Sequence, residues 1–399
     1  MIPVARPYIG VDEERAVVEV LRSGWVTQGP RVAEFEIKFS EYTGCKYAVA
    51  VSSCTTALHL ALLAAGIRTE DEVICPSLSF IATANSITYT GATPVFADID
   101  PNTYNLDPAK IEEAISPKTK AILVVHQVGL PAEMKLILEV AAKHGLTVIE
   151  DAACAIGSEY DGKLIGAPLG TMACFSFHPR KILTTGEGGM ITTNDPMIAE
   201  TLRRNRQHAM SLSDVARHSA KQVSIEAYDE VGFNFRMTDM QAALGIVQLD
   251  RLGDFLARRR FLAARYTQAL HDLAWIQTPA CPENCRHNYQ SYMLRLVGPF
   301  AGRRDEIMQD LLEKGISTRR AIMAIHRELP YRSKNWDRCL LETNQIADTG
   351  LILPLFHQMT NSEQDYVIAS LRAFEIKGSS FGGAQHRASI ADGGPNAVI

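Results

Sequence analysis

Seven short β-rich runs, YAVAV, EVICP, PVFAD, AILVV, TVIED, ACFSF and MITT, punctuate residues 47–193, with helix-periodic segments between them. The runs are apolar throughout instead of alternating, which predicts strands covered on both faces and therefore a mostly parallel sheet flanked by helices. Leu58, Leu62 and Ala65 share one helix face, as do Ile137, Val140, Ala141 and His144, with Gly145 closing the second helix. Together they predict an α/β fold with a seven-stranded sheet.

The flanks extend this plan. Asp12 is expected to cap a first helix that carries Glu13 and Glu14 in its first turn and Gly24 beyond its end. Amphipathic patterns over Thr238 to Leu252 and Phe255 to Leu270 bridge to a second unit. That unit contains the strands SYMLRLV and ISTRR, a helix near Arg303 to Lys314 and a last helix over Ser362 to Phe374. The expected division is a large domain over 1–250 that includes the N-terminal segment, a small α+β domain over 251–376 and a flexible tail over 377–399.

Charge and composition narrow the function. Acidic residues number 45 against 40 basic, a net of −5, so no broad basic surface is offered to nucleic acid. No stretch approaches the ~20 consecutive apolar residues of a bilayer span. Arg6, Asp12, Glu13 and Glu14 arrive too early for a signal peptide, and the eight cysteines form no regular framework, which together predict a cytoplasmic protein with reduced thiols. The single close pair, Cys281 and Cys285, lacks the second pair or histidines of a zinc site, so no metal is expected.

Two pattern matches fail on chemistry. Gly157, Gly162 and Lys163 mimic a P-loop, but Leu164 stands where a hydroxyl must reach magnesium, so a turn is expected. Asp98, Asp100 and Asn102 mimic a calcium loop, but Thr103 replaces the required Gly and Ala109 the bidentate Glu.

The informative residues lie elsewhere. Asp151 ends the run TVIED, and the ends of parallel strands are where α/β sheets place ligands. Lys181 follows in SFHPRK, just before the flexible TTGEGG. A lysine that can form a Schiff base, and a carboxylate that can keep a pyridine nitrogen protonated, are what pyridoxal phosphate requires. The segment SSCTTALHLAL supplies a helix N-terminus for the phosphate, with Thr55 and Thr56 as contacts, and Phe80 in PSLSFIAT is placed to stack on the ring.

With these residues in view the chain resembles the DegT/StrS aminotransferases, fold-type I pyridoxal phosphate enzymes acting on nucleotide-linked keto sugars. The resemblance runs from about residue 3 to 376 through VSSCTTALHLAL, EDEVICPSLSFIATAN, GATPVFADID, VIEDAACAIG, FSFHPRKILTTGEGGMITT and GFNFRMTDMQAALG, in that order. It implies Lys181 as the cofactor-bearing lysine, Asp151 as the pyridinium partner and Phe80 as the stacking residue. Thr55, Thr56 and Ser176 are implied at the phosphate, joined by Arg236 and by Asn234 from the other subunit of a homodimer. Cys154 departs from the family, which usually has Gln or His there against the cofactor; a thiol cannot reproduce an amide's hydrogen bonds. Arg319 and His326 match a region that touches the sugar in relatives. The implied reaction converts a keto sugar nucleotide, a 4-keto-6-deoxyhexose, to an amino sugar with L-glutamate as donor, in polysaccharide or glycoside biosynthesis. A keto-cyclitol or 3-keto sugar is the alternative substrate. A related sugar dehydratase has His in place of the lysine, which Lys181 opposes, and a non-catalytic regulator would not need the full Asp, Lys and phosphate set.

Overall fold

The computed structural model describes residues 1–211, 225–332 and 336–379. Its main sheet consists of β1 (Tyr47–Val51), β2 (Glu72–Pro76), β3 (Thr93–Ala97), β4 (Thr119–Val125), β5 (Thr147–Asp151), β6 (Met172–Ser176) and β7 (Gly189–Thr193). The order across the sheet is β1-β7-β6-β5-β4-β2-β3, and only β7 runs against its neighbours. All seven runs read from the sequence are these seven strands. Their two faces explain the unbroken apolar pattern: in β4, Ile122 and Val124 enter one core while Ala121 and Leu123 enter the other.

The reversal of β7 decides where ligands can bind. Its first residue, Gly189, sits in register with Val51, the last residue of β1, and with Ser176, the last residue of β6. The carboxyl ends of those strands therefore meet in one row. Helix α3 (Cys54–Ala64) starts directly above that row, with Ser53 as its N-cap. A Cβ on Gly189 would lie 2.6 Å from the backbone of Ser53, so only glycine lets the helix start approach this closely.

Helix α1 (Val11–Ser23) is capped by Gly10, not Asp12. Glu13 at its third position accepts the Gly10 N–H, leaving the Asp12 carboxylate in the first turn to pair with Arg251. Gly24 ends the helix in the left-handed conformation, as expected. The discarded motifs are turns: Gly162 has φ 74° between the two short strands Glu159–Tyr160 and Lys163–Leu164, and Asp100 accepts the Asn102 and Thr103 N–H groups.

The second group of elements forms a four-stranded antiparallel sheet from Ile276–Gln277, Tyr292–Leu296, Gly350–Leu353 and Arg319–Arg320. It packs on helices Leu252–Leu270, Arg304–Glu313 and Asn361–Ser379 around a core of Leu262, Tyr266, Tyr292, Leu351 and Leu371. The strand Gly350–Leu353 is absent from the sequence reading. Ile2 forms an isolated bridge with Ile316, and the Val4 carbonyl accepts the Leu355 N–H, so the first residues of the chain touch the second unit. The last helix reaches Ser379; the remainder of the expected tail lies outside the described residues. Among the described residues no helix is long and apolar enough to cross a membrane.

A buried carboxylate ties helix α2 (Pro30–Thr43) to the helix Asp239–Asp250. Asp239 accepts the N–H groups of Gly29 at 2.8 Å, Val32 at 3.0 Å and Arg31 at 3.1 Å, taking up donors that a helix start cannot pair internally. Asp239→Ala is expected to cost about 3 kcal/mol in urea unfolding, since it strands these donors in a buried setting. Asp239→Asn, which keeps one acceptor, is expected to cost roughly half of that.

Candidate active site

Asp151 is the last residue of β5 and 5% exposed. Its Oδ1 accepts the Ala153 N–H at 3.1 Å and its Oδ2 accepts the Thr83 hydroxyl at 2.9 Å. Thr83 in turn meets Ser79 at 2.8 Å. These two donors do not repay the loss of water, and burial holds the Asp151 carboxyl above the usual range against the opposing pull of Ala153, Thr83, Lys181 and His126. Thr83 heads the segment that carries Phe80, since the Thr83 N–H bonds to the Phe80 carbonyl. Phe80 itself is 65% exposed and has no ring partner among the described residues.

Glu150 points to the opposite side of the strand, fully buried, and is differently served. Its Oε1 accepts the N–H groups of Leu169 and Gly170, and its Oε2 faces His126 Nε2 at 3.1 Å. Because Ala132 N–H donates to His126 Nδ1, the proton sits on Nε2 and is donated to Glu150. The His126 N–H also bonds to the Asp151 carbonyl, which anchors the end of β5. Thr83, His126 and Glu150 were not singled out from sequence. An acid inside an apolar strand was the one signal for the last of them.

Lys181 lies on the crossing from β6 to β7, and its Nζ is 3.1 Å from Cys154 Sγ. Burial pulls its ammonium down, but Cys154, Cys54 and Asp151 pull it up by more, so it stands above the ordinary lysine value. Cys54, the first residue of α3, feels Asp151, Cys174, Lys181 and Cys154, which places the helix start at the same centre. The Thr56 hydroxyl donates to the Ser53 carbonyl at 2.8 Å and accepts the Ser53 N–H at 3.1 Å. The Thr55 hydroxyl has no partner among the described residues. Ser176 closes the row, with its Oγ 3.5 Å from the His178 N–H.

These residues fit pyridoxal phosphate. The chain supplies a primary amine, a buried carboxylate for a protonated ring nitrogen, an exposed aromatic beside it, and a helix N-terminus with an unpaired hydroxyl for the phosphate. Thr56 would contribute through the helix start it closes more than through a free hydroxyl.

Other expected residues are placed unequally. Asn234 is exposed, and the Phe235 carbonyl accepts the Ser52 N–H at 2.8 Å, so Asn234 and Arg236 flank a contact with the α3 start of their own chain. Arg319 is exposed, and burial, then Arg180 and Arg320, lower its guanidinium; Arg319, Arg180 and Lys181 all bear on His178. His326 is 1% exposed; its Nδ1 meets Ser77 Oγ, just past the end of β2, at 2.7 Å and its Nε2 meets Asn344 at 3.2 Å.

Comparison with known proteins identifies the family. The sequence model of the DegT/DnrJ/EryC1/StrS aminotransferase family matches residues 7–372. GDP-perosamine synthase of Caulobacter vibrioides is 44% identical over 372 residues, 93% of this chain and 97% of the relative. The spore coat polysaccharide biosynthesis protein SpsC of Bacillus subtilis is 40% identical over 386 residues, 95% of this chain and 98% of the relative. The sugar aminotransferase Spr1654 of Streptococcus pneumoniae, solved in PMP and PLP forms and described as putative, superposes in the PMP form with a TM-score of 0.89 at 29% identity, covering 94% of this chain and 100% of that one.

The raised Asp151 carboxyl makes a prediction about the cofactor-free protein. An acid raised in the folded state stabilises the fold below its unfolded value and loses that contribution as pH rises through the folded value. Asp151→Asn, which can still accept from Ala153 and can donate to Thr83, is therefore expected to raise the melting temperature of the apoprotein at neutral pH. The difference should shrink toward acid pH. A variant that melts below the parent at neutral pH would contradict this.

Proposed function

We propose that this chain, which belongs to the DegT/DnrJ/EryC1/StrS aminotransferase family, transfers an amino group to the keto carbon of a nucleotide-linked sugar. The chain is a pyridoxal-phosphate-dependent aminotransferase. The observation that carries the sugar reading is the near full-length 44% identity to a GDP-perosamine synthase, in a chain whose lysine, aspartate and helix N-terminus lie together at the carboxyl ends of the strands. The substrate in this reading is a 4-keto-6-deoxyhexose nucleotide and the amino donor L-glutamate.

When bound, pyridoxal phosphate supplies an electron-accepting ring. Lys181 would hold it through its amine and, as a free amine, would be the base that moves a proton at the donor's α-carbon. Asp151, already short of donors, would accept a hydrogen bond from a protonated ring nitrogen. Cys154, within hydrogen-bonding distance of the Lys181 amine, stands where the family resemblance implies an amide or imidazole against the cofactor. Thr55, Ser176 and the N–H groups at the start of α3 would hold the phosphate, and Phe80 would stack on the ring. Arg319, beside Arg180, offers cationic recognition to anionic groups of the substrate. In this reading the enzyme is a homodimer whose Asn234 and Arg236 complete the partner's phosphate site.

Borohydride reduction of the yellow protein followed by peptide mapping is expected to label Lys181; label on another lysine would overturn the assignment. Screening keto-sugar nucleotides against L-glutamate tests the substrate, and amination of keto-cyclitols alone would replace the sugar reading. Asp151→Asn is expected to lower turnover on the order of a hundredfold. Lys181→Ala and Asn234→Ala, each inactive, should regain activity when unfolded and reassembled together, because one site in each hybrid then receives intact copies of both residues. A mixture no more active than its parents, with exchange verified by mass, would place Asn234 in its own chain's site.

A further inference from the structure

The segment His287 to Gln290, which leads into the strand Tyr292–Leu296, touches both walls of the active site through two side chains. Asn288 is fully buried, and its Nδ2 donates to the carbonyls of Cys154 and Ile156, each at 2.8 Å. Gln290 straddles Lys181: its Oε1 accepts the Ile182 N–H at 3.1 Å and its Nε2 donates to the Arg180 carbonyl at 2.7 Å. The Gln290 N–H donates to Asn288 Oδ1 at 2.8 Å, which links the two grips.

The segment is itself held from behind. Arg259, 4% exposed, donates to the carbonyls of Tyr289 at 2.9 Å and Gln290 at 2.6 Å. Arg260 donates to the carbonyls of His287 at 3.0 Å and Gly157 at 2.8 Å. Tyr289 bends the segment with φ 53°. Opposite it, Gly129 has φ +97°, and a Cβ there would fall 1.8 Å from Asn288 Oδ1 and 2.9 Å from the Cys154 carbonyl. The chain has a glycine where any side chain would expel Asn288.

We propose that Asn288 and Gln290 are positioning residues that set the separation between the Cys154 wall and the Lys181 loop, and thereby where the Lys181 amine meets the cofactor. The inference rests on the reading of Lys181 as the cofactor-bearing residue. The bridge spans the place where Lys181 Nζ approaches Cys154 Sγ at 3.1 Å, and Ala155 and Ile156 pack in one core with Ile182 and Leu183 beneath it. A displacement of about 1 Å at a reacting group is enough to cost on the order of a hundredfold in rate.

The test compares Gln290→Leu, Gln290→Glu and Asn288→Ala, each as holoenzyme. Two readouts are the pH midpoint of the bound cofactor's visible absorbance and the division of the kinetic effect between kcat and KM. The midpoint should move by about one pH unit and kcat should fall at least about tenfold, with KM for the sugar nucleotide within about twofold. Gln290→Glu, which keeps the acceptor for Ile182 and loses the donor to Arg180, should lie between Gln290→Leu and the parent. Arg372→Ala removes a pairing with Asp272 and a bond to the Ala269 carbonyl in the second unit, and serves as a destabilised control whose midpoint should not move. If Gln290→Leu does not fold, the other two variants decide. Unchanged midpoints and kcat, with the cofactor mapped to Lys181, overturn this proposal alone, as does an equal midpoint shift in Arg372→Ala. Cofactor mapped to a different lysine overturns the functional reading and this proposal with it.

Discussion

The antiparallel pairing of β7 with both β1 and β6 is the contact on which the rest of the site depends. β1 is the first strand in the chain, and without β7 beside it the helix that follows β1 would have no route to the ends of β5 and β6. The ladder puts Val51, Gly189 and Ser176 in one row. The crossing from β6 to β7 then has to pass over that row, and it carries Lys181. A parallel strand in the same place would put its amino end at the far side of the sheet and the lysine with it. Gly189 is what lets the ladder and the start of α3 coexist at this distance.

The two adjacent acids at the end of β5 show how one strand can serve stability and chemistry at once. Strand alternation sends Glu150 to one face and Asp151 to the other. Glu150 meets two backbone N–H groups and the protonated nitrogen of His126, and so behaves as a structural acceptor. Asp151 is given only a backbone N–H and a hydroxyl, and its burial is incompletely offset. A carboxyl left short of donors is poised to take one from a ligand, at a cost in stability to the empty protein. His126 connects the two, since its ring serves Glu150 while its N–H holds the Asp151 carbonyl.

Much of this was legible in the amino-acid order. Strands buried on both faces leave unbroken apolar runs, and all seven were visible. Asp151 was visible because it ends the apolar run TVIED, and Lys181 because it stands between the run ACFSF and the Gly-rich stretch TTGEGG, the two together matching the needs of one cofactor. Local capping was less legible: Asp12 is a common cap residue, yet the chain starts its helix at Gly10, because Glu13 can reach back to the Gly10 N–H. The burial of His326 was not legible, because its partner Ser77 lies 249 residues away in the chain.

The sequence by itself determined the sheet, the identity of its strands and the residue types at their ends, because burial periodicity and strand-end charges are local properties. The tertiary structure decided which of those ends meet and what each side chain has left to offer. Asn288 and Gln290 look like ordinary loop residues until the fold brings them against the carbonyls of Cys154 and Ile156 and the peptides around Lys181, 134 and 110 residues distant for Cys154 and Arg180. Their role is made of hydrogen bonds between segments far apart in the chain, and no local pattern records such bonds.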